Sequence, residues 1–162
     1  MDHRSKGTPI LNMLRHQSKP TTFPNKHIPD RIVLVDDDPP HRTCLKKFLE
    51  LRGYVCLEAS NGVDALDILR QESVAMIITD HNMPEMDGLT FIQLVNQNFP
   101  NEILPIFLIT AELSDTIRLR AFKNGVNRVF EKPLDYQDLC NAVDWVMKFD
   151  LVTPPPIKFA SH

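Results

Sequence analysis

Five short apolar runs alternate with five stretches whose apolar residues recur three and four positions apart. That alternation restricts the fold more than any other feature of the chain. Residues 32–35, Ile-Val-Leu-Val, form an unbroken β-branched run, the pattern of a strand buried on both faces. Residues 54–58, 74–79, 105–109 and 126–131 also read as strands. Between them, residues 41–52 carry Leu45, Phe48 and Leu49 at core spacing, and residues 61–71 carry Ala65, Leu66 and Leu69. Residues 88–98 bring Leu89, Ile92 and Val95 inward, and residues 135–149 bring Leu139, Val143 and Val146, with Trp145 over the core edge. Asn61 and Ser114 suit helix N-caps, while Gly53 and Asn124-Gly125 suit helix ends. Alternation of this kind predicts an α/β fold: one parallel sheet, right-handed crossovers and helices on both faces.

In a parallel sheet the carboxyl ends of all strands share one edge, where open α/β folds place their chemistry. Asp36, Asp37 and Asp38 follow the first run, Asp80 ends the third, Thr110 follows the fourth and Lys132 the fifth. The second contributes only Ala59-Ser60. Crowded carboxylates repel one another and invite a hard cation. Mg²⁺ takes oxygen ligands, is content with one or two carboxylates and keeps several waters. A carboxylate is also a nucleophile toward phosphorus, giving an acyl phosphate. An ammonium and a cation would neutralise the transferring phosphoryl group, and a hydroxyl could hydrogen-bond it. Other polar residues here have plainer readings. Asp38 reads as a solvated or helix-capping acid, Asp87 as ordering the loop before Gly88, and His81 as a solvent-facing loop residue.

Composition narrows the classes. The chain has 162 residues, 43% of them hydrophobic, and a formal charge of −3, which gives no bulk-charge case for nucleic-acid binding. Three scattered cysteines, Cys44, Cys56 and Cys140, match no metal or redox spacing and read as core thiols of a reducing compartment. No apolar run approaches the roughly 20 residues of a membrane span, and the basic N-terminal stretch lacks an apolar signal region. A cytoplasmic protein without membrane insertion is expected. Residues 1–29, basic and interrupted by four prolines, are expected to be a disordered arm. Residues 30–150 are expected to form the domain, and residues 151–162 a proline-rich tail.

Four motifs, each weak alone, occur in order at strand ends: Val35-Asp36-Asp37-Asp38-Pro39, the stretch from Thr79-Asp80 through Asp87-Gly88, Thr110-Ala111, and Lys132-Pro133. Together they resemble the receiver domain of two-component response regulators, of the stand-alone kind similar to chemotaxis regulators, over residues 31–149. The resemblance implies a flavodoxin-like (βα)5 three-layer fold with strand order 2-1-3-4-5. It implies that Asp80 is the phosphoacceptor. Asp37, Asp80 and the backbone carbonyl of Asn82 would ligate Mg²⁺ directly, with Asp36 acting mainly through a metal-bound water. Thr110 would bond the phosphoryl group, Lys132 would pair with it, and the Lys132-Pro133 peptide would be cis. Asn82 and Glu112 would tune water access to the acyl phosphate. The donor would be a sensor histidine kinase or a phosphotransfer protein. The output would be contact with a downstream protein through residues 114–149, with a phosphorylation-dependent homodimer also allowed. No DNA-binding output domain and no direct nucleic-acid contact are expected, nor any enzyme activity beyond self-phosphorylation and dephosphorylation.

Two other readings use some of the same residues. A phosphatase of the haloacid-dehalogenase type carries its nucleophile in a DxD pattern after the first strand, and Asp36 and Asp38 have that spacing. Pro39-Pro40 then follow, and there is no cap domain. A flavodoxin-like cofactor binder needs a hydroxyl- and glycine-rich phosphate loop after the first strand, which is absent. One departure from the receiver pattern stands out: the switch aromatic usually lies three residues before the lysine, and Val129 occupies that place, followed by Phe130. Valine is small and stiff at χ1, so it cannot swing as an aromatic ring does.

Overall fold

The structure is a computed structural model, and it describes residues 31–148. The expected arm and tail, and Phe149, lie outside the described residues. Strands β1 (Arg31–Val35), β2 (Val55–Ala59), β3 (Met76–Asp80), β4 (Ile106–Thr110) and β5 (Arg128–Glu131) alternate with helices α1 (Pro39–Glu50), α2 (Gly62–Gln71), α3 (Gly88–Asn98), α4 (Asp115–Lys123) and α5 (Tyr136–Lys148). All strand pairs are parallel. The order across the sheet is β2-β1-β3-β4-β5, as the resemblance implied.

The continuous apolar runs are explained by burial on both faces. Every residue of β3 and β4 is buried. Alternate strand residues feed two separate cores. Val33, Val35, Ile77, Ile106 and Leu108 pack with Leu66 and Leu69 of α2, Leu89 and Ile92 of α3, and Ala121 of α4. Ile32, Leu34, Ile78, Phe107, Ile109 and Phe130 pack with Leu45 and Leu49 of α1 and Leu139 and Val143 of α5. Side chains of the first kind therefore face the α2–α3–α4 layer, and those of the second the α1–α5 layer.

Three elements start two residues away from the sequence expectation. Helix α1 begins at Pro39, not His41, because proline lacks only a donor that the first helical turn leaves unpaired anyway. Strand β5 begins at Arg128, because the Val126 N–H is turned back to the Ala121 carbonyl and closes α4. Strand β3 begins at Met76, the first of its residues paired with β1. Phe48, read as a core residue, is 40% exposed and stacks on Tyr136 of α5 with 4.8 Å between ring centroids. Gly53, at a positive φ of 91°, ends α1 as expected, its N–H donating to the Glu50 carbonyl. The three cysteines are free, and none of the described helices is long and apolar enough to cross a membrane.

Candidate functional site

The register fixes which residues meet at the carboxyl edge. Val35 pairs with Thr79, so Asp36 and Asp80 follow side by side on neighbouring strands. Thr110 pairs with Glu131, which places Lys132 one step beyond, its N–H donating to the Thr110 carbonyl. The two-residue period puts Asp36, Asp80 and Lys132 in phase with Leu34, Ile78 and Phe130, on the α1–α5 side. Thr110 is in phase with Leu108, on the other side. The sheet thus brings two carboxylates and an ammonium together from three strands.

Asp80 is 2% exposed and Asp36 5%. Lys132 Nζ lies 2.6 Å from Asp80 Oδ1 and 4.0 Å from Asp36 Oδ2. Asp80 Oδ1 is otherwise enclosed without a well-aligned hydrogen-bond donor, while Oδ2 accepts from the Asn82 N–H at 2.8 Å. Burial and the nearby charge of Asp36 push the Asp80 carboxyl above its ordinary range, against the pull of Lys132 and the Asn82 amide. Burial also pushes Asp36 upward, but the His41 hydrogen bond, the Asp38 amide and Lys132 outweigh it, and its carboxyl lies below the ordinary range. Two adjacent acids are thereby set apart: one readily charged, one resisting charge.

The loop after β3 is held tightly under this pair. The His81 carbonyl accepts from the Met83 and Gly88 N–H groups. A Cβ on Gly88 would lie 2.3 Å from the Asp80 carbonyl oxygen and 3.0 Å from His81 Cα, so only glycine fits there. Glu85 takes a positive φ of 66° at the turn. Asp87 caps α3 by accepting from the Thr90 N–H at 2.7 Å, and Asp38 caps α1, as their plainer readings held. His81, expected to face solvent, is half-buried with Nδ1 enclosed and unpartnered among the described residues, because this loop folds over it.

Thr110 is fully buried, and its hydroxyl is turned to the loop after β4. It donates to the Glu112 carbonyl at 3.0 Å, accepts from the Glu112 N–H at 3.3 Å and lies 3.4 Å from Asn82 Oδ1. Asp37 is exposed. Among the described residues no group of three His, Cys, Asp or Glu side chains is gathered around one point. The Lys132-Pro133 peptide is cis.

Sequence reasoning missed His41 and Arg42. His41 Nδ1 contacts Asp36 Oδ2, and Arg42 Nη1 donates to the Asp36 backbone carbonyl. The signal was a two-residue error in the start of α1. With Asp38 as N-cap, His41 is the third helical residue, a position whose side chain can reach back toward the preceding loop.

A buried strand-end aspartate facing a lysine two strands away, in a 2-1-3-4-5 sheet, matches a known pattern. The model of the response regulator receiver domain matches residues 32–144. The chain belongs to this family. The receiver domain is 36% identical over 119 residues to the chemotaxis protein CheY homolog of Campylobacter jejuni, covering 72% of this chain and 92% of that protein. It is 36% identical over 116 residues to the sensor protein EvgS of Escherichia coli, but covers only 9% of that longer protein. Among solved structures, chemotaxis protein CheY4 of Vibrio cholerae superposes with a TM-score of 0.68 at 27% identity, over 72% of this chain and 97% of that one. Receiver domains are signalling modules of two-component systems, and phosphorylation on aspartate is general to the family.

Proposed function

We propose that this receiver domain accepts a phosphoryl group on the Asp80 carboxylate from a sensor histidine kinase or phosphotransfer protein, and signals by protein contact. The observation that carries this reading is the buried Asp80 carboxylate with one oxygen facing Lys132 at 2.6 Å and the other oriented by the Asn82 amide. A carboxylate oxygen forms a bond to phosphorus as the P–N bond of the donor phosphohistidine breaks, the electron pair staying on the donor nitrogen. Lys132 would neutralise charge on the incoming group. Thr110 would turn its hydroxyl from the Glu112 carbonyl toward it.

The donor set also fits a hard cation. Two almost fully buried carboxylates, Asp80 and Asp36, share the charge of one ammonium, and Asp37 and the Asn82 carbonyl supply further oxygen. Asp36, Asp37, Asp80 and the backbone carbonyl of Asn82 would hold Mg²⁺, which needs few protein ligands beside its waters. When bound it would supply positive charge against the phosphoryl oxygens.

Incubation with acetyl phosphate and Mg²⁺, read by intact mass, tests the reading. A phosphoryl adduct is expected in the native chain and absent in Asp80→Asn. An adduct that persists in Asp80→Asn, or no adduct together with no binding of a fluoroberyllate analogue, would overturn it.

A further inference from the structure

The pocket has one constituent that neither the sheet nor the strand-end motifs supply. His41 comes from α1, and its side chain is only 14% exposed. A carboxylate can only accept, so Nδ1 carries the proton and donates to Asp36 Oδ2. Asp36 Oδ1 is fixed independently by the Asp38 N–H at 2.9 Å. Arg42, one residue on, holds the Asp36 backbone through its carbonyl. The Asp36 carbonyl and both side-chain oxygens are therefore tied to the cap and first turn of α1, while its N–H donates to the Ala59 carbonyl of β2.

The imidazole is itself clamped. Its Nε2 is buried without a partner among the described residues, so no hydrogen bond on that edge holds it. The restraint comes instead from packing on Tyr136 of α5, with ring centroids 6.2 Å apart and tilted by 47°. Tyr136 is in turn stacked on Phe48 of α1, nearly parallel at 5°. An aromatic stack between two helices thus fixes the ring that fixes the acid.

We propose that His41 is a positioning residue for the Asp36 carboxylate, and through it sets how tightly the pocket binds a divalent cation. The proposal rests on the reading that this pocket takes Mg²⁺. A carboxylate keeps lone pairs free when it accepts one hydrogen bond per oxygen, so the imidazole orients Asp36 without consuming it. Partners that orient acids beside a cation are commonly worth about 10- to 100-fold in metal affinity. Lys132, 4.0 Å from the same Oδ2, makes the orientation matter further. Without His41, Oδ1 keeps its Asp38 N–H but Oδ2 loses its anchor and is left to the ammonium rather than the cation.

The test is Mg²⁺ binding to the full chain by titration calorimetry at one fixed pH, with thermal melting of each variant. His41→Leu is expected to weaken binding by about 10-fold, at the lower end of that range. His41→Asn, whose amide nitrogen can take the place of Nδ1, is expected to restore most of it. Leucine binding as tightly as the native chain, or asparagine falling as far as leucine, overturns the proposal. Should His41→Leu not fold, Tyr136→Ala takes its place, since it unclamps the ring without touching Asp36, and unchanged affinity there overturns the proposal. If the native chain binds no Mg²⁺, the cation reading itself fails and this proposal with it. Native binding that His41→Leu leaves untouched removes the role of His41 alone.

Discussion

Lys132 Nζ stands 2.6 Å from Asp80 Oδ1 and 4.0 Å from Asp36 Oδ2, so one ammonium answers two almost fully buried carboxylates. Without it the two acids would repel at close range, and negative charge on an approaching phosphoryl group would go unanswered. Lys132→Ala is therefore expected to slow adduct formation from acetyl phosphate by about 10²-fold, as loss of one charge-stabilising group commonly does. A time course of intact mass checks this. An unchanged rate would mean that Lys132 is a structural counter-ion only.

Asp80 should destabilise the domain that carries it. Burial, and then the charge of Asp36, raise its carboxyl above the ordinary value of 3.8, so the folded state resists its ionisation. For an acid shifted upward, stability is intact below the ordinary value and is lost as pH rises through the folded value. Asp80→Asn removes that loss. At neutral pH the variant is expected to be more stable by on the order of 1 kcal/mol, with the advantage vanishing in acid below 3.8. Urea midpoints of both proteins across the pH range measure it. An asparagine variant that is less stable at neutral pH contradicts the assignment.

Asp144 gives the opposite sign away from the pocket. It accepts from Arg52 at 2.6 Å and from the Tyr54 hydroxyl at 2.7 Å, tying α5 to the turn after α1. Burial pushes its carboxyl up, but those two bonds, with Lys148 nearby, bring it below its ordinary value of 3.8. Its contribution is thus present above 3.8 and lost as pH falls through the lowered folded value. The side chain is 24% exposed, so solvent screens part of the effect. Asp144→Asn is expected to cost about 1 kcal/mol at neutral pH, and less as the native acid protonates. A difference that stays constant down to strong acid would show that charge is not involved.

How much of this was legible in the sequence depends on which forces acted. The strand ends were readable because burial on both faces forces continuous apolar runs, and such a run stops where polar residues begin: Val35 before Asp36, Thr79 before Asp80. The caps at Asp38, Asn61 and Ser114 were readable because one side chain satisfies a local backbone donor. The contacts of His41 and Phe48 were not readable. Each depends on how α1 packs against α5, and for His41 also on a helix that starts two residues earlier than expected, which places it in the first turn rather than at the boundary. The inward turn of the Thr110 hydroxyl to Glu112 was also hidden, since it depends on the path of a loop with no periodic pattern.

Gly88 offers a test of the loop beneath the acid. An added Cβ would sit 2.3 Å from the Asp80 carbonyl oxygen, which is backbone and cannot yield as a side chain would. Gly88→Ala is expected to destabilise the domain by about 2 kcal/mol and to slow phosphoryl acceptance by displacing Asp80. Urea unfolding and adduct formation should fall together. Loss of neither would mean that the start of α3 shifts freely.

Phe130 sits beside the position where the family's switch ring is expected, and the strand period decides what it can do. Val129 is half-buried and packs toward the α2–α3–α4 side, in the same core as Leu108. Phe130 points the other way, 7% exposed and packed on Phe107 at 5.3 Å between centroids. The Arg128 guanidinium lies 4.9 Å from its ring. The ring is therefore out of phase with Thr110 and enclosed by core, so it cannot rotate into space vacated by that hydroxyl. Phe130→Ala is expected to act as a core truncation, costing about 3 to 4 kcal/mol, while the folded fraction still takes a phosphoryl group on Asp80. Val129→Ala should cost only about 1 kcal/mol. Urea unfolding with intact mass on the folded protein separates the two effects. A Phe130→Ala variant of native stability would show that the ring is loosely held and return it to candidacy as the switch.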